Sequence, residues 1–474
     1  MSEGPRIIDG VMAAVDPHAP SSSPETLLTG IRHPYLVGIG GVGMSGAAAI
    51  LRDRGFPVRG SDRQPPAGAD AESTPLPEET DLLVHSAAIP ADHPQVAEAR
   101  ARKLPIVKYA DLLGALMADR VGICVAGSHG KTTTSSLLSS ALLDAETDPS
   151  FLIGGTLRAH GVGSRSGSGP LFVAESCEFD RSFHAHRPRI AIVTNVDEDH
   201  LDYYRDLAEI QESFRVFARL LPADGTLIVN DAYEPVFADD ARIKARVQSY
   251  GFSEEAWWQV GEPQLATDGA TTAFDLHERG TFRARIAIPL HGHHNVLNAT
   301  AAAAAMAAAG LDFDRIAPAL GAFAGVGRRQ ELVAECQGIT ILDDYGHHPV
   351  EIRAVVRSLR QRFPERRLVI VFQPHQASRT RCLMKEFAVA LAEADVVWLP
   401  PIFFARDSKE EQRAVTSADL ARHVRNEGGD AIPLADLQTA VDHAADCLRP
   451  GDVVVTMGAG DIDEVARGIA DRLR

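Results

Sequence analysis

Two stretches of this 474-residue chain place glycine, lysine and hydroxyl residues where phosphate chemistry needs them. The first is Gly38-Ile39-Gly40-Gly41-Val42-Gly43, which follows an apolar run at 35–39, precedes a helical pattern at 45–54, and is answered by Asp62 at the end of the next short run. Glycines in such a turn let backbone amides approach a diphosphate, the helix N-terminus favours its charge, and Asp62 can accept from a ribose hydroxyl or another donor. A nicotinamide, a flavin and other nucleotide diphosphates all satisfy this pattern. The second stretch is Gly127-Ser128-His129-Gly130-Lys131-Thr132-Thr133-Thr134, just past an apolar run at 122–126. Its amides can cradle phosphates, Lys131 can reach the β and γ oxygens, and the Thr132 hydroxyl can join a Mg²⁺ shell. It is not a strict G-x-x-x-x-G-K-[ST], because Val125 stands five before Gly130. A glycine turn with an exposed lysine is the plain alternative.

Carboxylates and imidazoles gather at the ends of other apolar runs. Glu175 closes the run at 171–174, where an acid at the C-terminal edge of a parallel sheet can hold the metal of ATP or simply be solvated. His200 sits in the polar run 194–202 after an apolar strand, as a metal ligand or a surface histidine. Asp343-Asp344-Tyr345-Gly346-His347-His348-Pro349 and then Gln373-Pro374-His375-Gln376-Ala377-Ser378-Arg379-Thr380 load two further strand ends. Polar groups at one edge of an open α/β sheet are where such sheets bind ligands. A dedicated zinc site is disfavoured, since no third ligand at helix or turn spacing completes the His347–His348 pair.

The elements that must position these groups alternate, short β-rich runs with helix-length amphipathic segments, which is the pattern of parallel sheets covered by helices on both faces. Three blocks follow. Strands are expected at 35–39, 58–60 and 82–85 with a helix at 45–54, then strands at 121–126, 171–174 and 190–194 with a helix from Thr132, then strands at 339–342, 367–372, 396–399 and 452–456. Boundaries fall near residues 120 and 327. About three domains also suit the chain length.

Composition narrows the function. The formal charge of −17 argues against a basic nucleic-acid-binding surface. Cys124, Cys177, Cys336, Cys382 and Cys447 are odd in number and far apart, which fits a reducing cytoplasm rather than a disulfide framework. The alanine-rich stretch 299–311 is too short and too weakly hydrophobic to span a bilayer and reads as a packed helix. Residues 1–30, with early acids and a Ser/Pro cluster, lack the basic start and apolar core of a signal peptide and are expected to form a loose extension.

Taken together, the motifs resemble the Mur ligases of bacterial cell-wall precursor synthesis. The carrying residues are G-I-G-G-V-G-M-S from Gly38, G-S-D from Gly60, G-S-H-G-K-T-T-T from Gly127, T-N-V-D-E-D-H-L-D from Thr194, H-N-V-L-N-A from His294, D-D-Y-G-H-H-P from Asp343, F-Q-P-H from Phe372 and S-R-T from Ser378. The resemblance covers about residues 33 to 462 and implies a three-domain α/β architecture. A Rossmann-like domain at 31–120 would bind UDP-N-acetylmuramate, a central P-loop ATPase-like domain at 121–326 would bind Mg²⁺ and ATP, and a Rossmann-like domain at 327–474 would bring the amino acid. The implied reaction is ATP-dependent attachment of L-alanine to the lactyl carboxylate through an acyl phosphate. Alternatives are a ligase that recycles a tripeptide onto the same sugar nucleotide and a catalytically inactive nucleotide-binding regulator. Tyr345-Gly346, where the recycling type would read Phe-Ala, favours the L-alanine reaction. Neither nucleic acid nor membrane is an expected partner, and a monomer or homodimer is expected.

Residue by residue, the resemblance implies that Gly127, Ser128, His129, Gly130, Lys131, Thr132 and Thr133 hold the ATP phosphates, with Thr132, Glu175 and His200 serving Mg²⁺. His294, Asn295 and Asn298 match the purine segment. Arg328 would reach ATP on closure, with Asp344 assisting. Gly40, Gly41, Val42, Gly43, Met44, Ser45, Asp62 and Ser86 would meet the UDP-sugar, and Tyr345, His347, His375 and Arg379 the amino acid. Lys131, His200, Arg328, Asp344 and Arg379 form the expected catalytic set. Three departures stand out. No lysine occurs from Asp197 to Thr226, so the carbamylated lysine of several family members has no counterpart there. Glu175-Ser176-Cys177-Glu178-Phe179-Asp180 replaces the common A-D-E-S-D form, and Gln376 and Ala377 replace Arg and Tyr beside the amino-acid pocket.

Overall fold

The protein was analysed as a computed structural model that describes residues 26–200, 203–267, 269, 271–404 and 407–474. Residues 1–25 of the expected extension, and Leu201 and Asp202 at the end of the 194–202 run, lie outside the described residues.

Three sheets follow one another along the chain. The first is wholly parallel, in the order Asp70–Ala71, Arg59–Asp62, Pro34–Val37, Leu82–His85, Ile106–Lys108. In the second, Val121–Ala126 lies between Leu171–Glu175 and Ile190–Val193, all parallel. The third runs Glu331–Cys336, Ile339–Asp344, Val453–Met457, Leu368–Phe372, Val396–Leu399, Ala431–Pro433, with only its first strand antiparallel. The expected α/β architecture is therefore present, and each expected strand is found within a residue or two of its place.

Alternation along the strands assigns the layers. In Val121–Ala126, Ile123 and Val125 pack with Leu137 and the helix His293–Ala308, whereas Cys124 and Ala126 pack with Leu112, Phe183 and Phe214 on the other face. Side chains of a strand point to opposite faces, so a strand buried on both must be apolar throughout. The helix His293–Ala308 buries Ala299 and Ala301 to Ala305 completely, and small side chains let it lie close on Lys131–Asp144.

Two features depart from a purely parallel reading. Strands Thr272–Glu278 and Thr281–Ile288 form an antiparallel hairpin that extends the middle sheet, and Ser150–Leu157 pairs antiparallel with Val162–Arg165. In Thr272–Glu278 only alternate residues are buried, the period of a sheet with one wet face. The helix expected at 45–54 also starts earlier, at Val42, because the glycine turn feeds straight into it.

A single apolar core runs from the first sheet into the second, through the helices Val42–Asp53 and Tyr109–Met117. Gly114 is the closest approach in this contact: a Cβ there would lie 2.2 Å from the Ala185 carbonyl oxygen. Backbone cannot yield as a flexible side chain can. Gly114→Ala is therefore expected to destabilise the protein by about 1–3 kcal/mol, measured as a lower midpoint of thermal unfolding.

Candidate active site

The second glycine stretch forms a closed loop whose shape forbids side chains. Gly127 has φ +139° and a Cβ there would overlap Thr194 Oγ1, while Gly130 has φ +81° and a Cβ there would sit 2.9 Å from Asn298 Oδ1. The segment that follows the strand Ile190–Val193 in the chain holds the loop from the side. Asn195 Oδ1 accepts from the His129 N–H at 2.7 Å, and Thr194 Oγ1 donates to the His129 carbonyl at 2.6 Å.

Lys131 opens the helix Lys131–Asp144 and folds back over the loop. Its ammonium donates to the carbonyls of Gly127 and Ser128 and to Glu178 Oε2 at 2.9 Å. Burial alone would favour the neutral amine, but Glu178 outweighs it and holds the Lys131 pKa above the ordinary lysine range. One residue on, Thr132 Oγ1 donates to Glu175 Oε1 at 3.0 Å, and Glu175 Oε2 accepts from the Gly154 N–H at 2.8 Å. Thr132, in the first turn of its helix, and Glu175, at the end of the strand Leu171–Glu175, thus meet.

His200 stands instead with Glu178 and Asp199. Its Nε2 is 3.9 Å from Asp199 and 4.0 Å from Glu178, and one ligand atom from each of these three residues falls within 4.8 Å of the others. Asp199 in turn pairs with Arg379 Nη2 at 3.3 Å across to the third sheet. Burial pushes the Asp199 carboxyl up, yet His200, Arg379 and His129 hold it well below the carboxylate range. The amino-acid-side expectation for Arg379 is thereby qualified: one half of its guanidinium is committed to Asp199, while Nη1 is buried with no hydrogen-bond partner among the described residues.

A cavity of about 370 Å³ opens beside the loop. Its middle-sheet wall includes His129, Thr133, Asn195, Tyr233, His294, Asn295 and Asn298, and its third-sheet wall includes Arg329, Asp344, Glu351 and Val355. Asn298 accepts from Thr134 and donates to Asn295, so both amides are fixed. Burial pushes His294 down to about 4 and Asp344 up to about 6.

Arg328 is not in this wall. Its guanidinium donates to Asp343 Oδ2 at 3.0 Å and to the carbonyls of Gly460 and Gly458 at 2.9 and 2.8 Å, which clamps strand ends of the third sheet together. The neighbouring Arg329 faces the loop instead, with Nη2 3.4 Å from Thr132 Oγ1. Tyr345 lies between the two guanidinium groups, 5.2 and 5.1 Å from its ring centroid. Around it, His347 is 5.5 Å from the Tyr345 ring and 5.8 Å from His375, which stacks on Phe403. Tyr345, His347 and His375 are thus brought together.

On the first sheet, Asp62 does not stand free for a ribose. Its Oδ2 accepts from the Gly40 N–H at 2.9 Å and its Oδ1 from Gln64 N–H, so it shapes the glycine turn. Gly41 and Val42 are exposed, Gly43 lies against the Tyr109 ring, and Ser45 Oγ bonds back to the Val42 carbonyl. Ser86 stands across from Gly38. Met44 is a correction: its side chain is 3% exposed and belongs to the core, leaving only its backbone for a ligand.

Glu178, Asp199, Arg329 and Glu351 are site residues that the residue patterns left unassigned. Glu351 closes a capping box with His348, which the structure shows and a histidine at that position does not announce in the sequence. The others carried no signal beyond adjacency to a motif.

Family models for Mur ligases match three consecutive segments: the catalytic domain of the family at 33–121, its middle domain at 125–306 and its glutamate ligase domain at 328–460. UDP-N-acetylmuramate–L-alanine ligase of Geobacter sp. strain M21 is 38% identical over 456 residues, covering 94% of this chain and 98% of the relative. The enzyme of the same name from Salinibacter ruber is 38% identical, with coverages of 94% and 95%. Among solved structures, UDP-N-acetylmuramate-alanine ligase from Thermotoga maritima has the same fold, with a TM-score of 0.75, 23% identity and coverages of 93% and 99%. A murein peptide ligase from Psychrobacter arcticus gives a TM-score of 0.66 at 25% identity, with coverages of 93% and 98%.

The clamp made by Arg328 yields a test. Removing it strands the buried Asp343 carboxylate without its cation, so Arg328→Ala is expected to cost about 3 kcal/mol of stability. A midpoint of thermal unfolding equal to that of wild type would contradict this structural role.

Proposed function

The chain belongs to the Mur ligase family, and from that premise we propose that it joins L-alanine to the lactyl carboxylate of UDP-N-acetylmuramate with consumption of ATP, a step in peptidoglycan precursor synthesis. The observation that carries this reading is the 38% identity over 94% of the chain to an L-alanine ligase, with the family's motifs in order along the chain. Residues 31–120 take the UDP-sugar, 121–326 the nucleotide and 327–474 the amino acid. Among the described residues no helix is long and apolar enough to cross a membrane.

In this reading a lactyl carboxylate oxygen bonds to the γ-phosphorus as the bond to ADP breaks. The L-alanine ammonium gives up one proton, the free amine attacks the acyl phosphate, phosphate leaves, and the nitrogen gives up a second proton as the amide forms. Positioning and charge neutralisation dominate phosphoryl transfer. Lys131 supplies a fixed positive charge at the loop, and Arg329 a second one from the third domain. The Thr132 hydroxyl and Glu175 carboxylate, 3.0 Å apart, are hard oxygen donors that suit Mg²⁺. Glu178, Asp199 and His200 offer a second cluster. Bound there, Mg²⁺ supplies charge neutralisation at the phosphates. Burial pushes His347 down to about 4, so at neutral pH its imidazole is uncharged and can accept from the substrate ammonium. The free Nη1 of Arg379 is a donor for the substrate carboxylate.

Phosphate release from ATP should require UDP-N-acetylmuramate and L-alanine together. A faster rate with the tripeptide in place of L-alanine would reassign the chain to the recycling reaction. Lys131→Ala should lose at least about 100-fold in kcat, the scale of removing a transition-state donor, while UDP-N-acetylmuramate still binds by calorimetry. Near-normal turnover would remove Lys131 from the phosphoryl-transfer site.

A further inference from the structure

One carboxylate joins the third domain to the phosphate loop. Glu351 is the third residue of the helix Pro349–Arg362, and its Oε2 accepts from the N–H groups of His347 at 2.9 Å and His348 at 3.2 Å. Its other oxygen, Oε1, leaves the helix and stands 3.5 Å from Nδ1 of His129 in the loop that cradles phosphates. Held at one end by its own helix cap, the carboxylate has little freedom left.

His129 is equally constrained. Asn195 and Thr194 hold its backbone from both sides, its ring is 8% exposed beside the cavity, and the His348 ring lies 4.7 Å away. Its Nε2 is buried without a hydrogen-bond partner among the described residues. A buried polar atom without a partner is costly and calls for an explanation. Burial and three charged groups set the charge of this ring. Burial and the nearby Lys131 oppose the cation, Glu351 and Asp199 favour it, and the carboxylates prevail, so the pKa is raised. With Nδ1–H directed to Glu351, a protonated ring has one donor to spare, Nε2–H, within a loop built for anions.

We propose that Glu351 is a positioning residue that orients His129, so that Nε2–H donates to the terminal phosphoryl group of the nucleotide only when the third domain is docked. The inference rests on the ligase reading above and adds a link between the two ends of the reaction. The helix cap that carries Glu351 begins at His347 and His348, beside the amino-acid pocket, so docking of that pocket completes the phosphate site. Phosphoryl transfer is then slow while the third domain stands apart, which protects ATP from idle hydrolysis.

The test is a double-mutant cycle on kcat and on KM for ATP, with UDP-N-acetylmuramate and L-alanine saturating. Glu351→Gln keeps an oxygen for the two helix-cap amides but loses the charge. His129→Asn leaves the helix cap untouched, so the cycle has one arm free of any capping defect. Each single variant is expected to lower kcat by about 10- to 100-fold with KM for ATP changed less than about 3-fold, and the double variant should be no slower than His129→Asn alone. Multiplicative losses in the double variant would overturn the coupling. A rise in KM with kcat unchanged would also overturn it, by assigning the pair to ground-state nucleotide binding. Absence of L-alanine-dependent phosphate release in the wild type would overturn the ligase reading itself and this inference with it. Active wild type with a fully active Glu351→Gln overturns only the positioning role.

Discussion

A lysine ammonium buried under a glycine loop is the constraint from which the rest of the site follows. Charge taken out of water must be paired and hydrogen-bonded, or it titrates away. Lys131 is paired with Glu178, whose side chain is only 2% exposed, and Tyr204 donates to the Glu178 carbonyl at 2.5 Å to hold that segment in place. From Glu178 the polar contacts continue through His200 and Asp199 to Arg379. Each member answers the one before it, and the chain ends on a different sheet.

This arrangement divides the molecule by the kind of force that holds each junction. The first and second sheets share an apolar core, which fixes them as a unit. The third sheet has cores of its own, and it meets the middle domain beside the Gly127–Thr134 loop through polar contacts: Glu351 on His129, Arg379 on Asp199, Arg329 on Thr132. Polar contacts of this kind can be replaced by water or by a ligand at little net cost, whereas an apolar core cannot be opened so lightly. The linker is correspondingly light. Val326 pairs with Leu157, the Arg158 N–H donates to the Gly325 carbonyl, and Gly325 has φ +93°.

The same linker touches the Thr132–Glu175 pair. Gly155 is bare because a Cβ there would lie 2.5 Å from Val326 and 3.1 Å from Thr132. Its neighbour Gly154 donates to Glu175. A short hairpin therefore stands between the hinge and the two oxygen donors, and its glycines allow both contacts at once.

What the sequence determined by itself was everything that depends on local spacing. Glycine followed by lysine and threonine after an apolar run leaves one economical backbone, so Gly127 to Thr132 was legible, as were Glu175 at its strand end and the three α/β blocks. The apolar strands and the alanine-rich stretch at 299–311 were legible because elements buried on both faces are apolar throughout, and the helix in fact spans His293–Ala308. The structure alone decided partnership. Whether Arg328 or Arg329 faces the loop depends on a left-handed backbone at Arg328, φ +57°, which no pattern of residue types encodes. Likewise Asp62 was legible as an acid at a strand end, but its use on the Gly40 amide follows from how the turn closes. Glu178 became a site residue only because the chain after Leu171–Glu175 folds back onto Lys131, and Asp199 and Glu351 because two separate sheets bring their edges together; proximity between residues 129 and 351 is a property of the folded chain, not of its order.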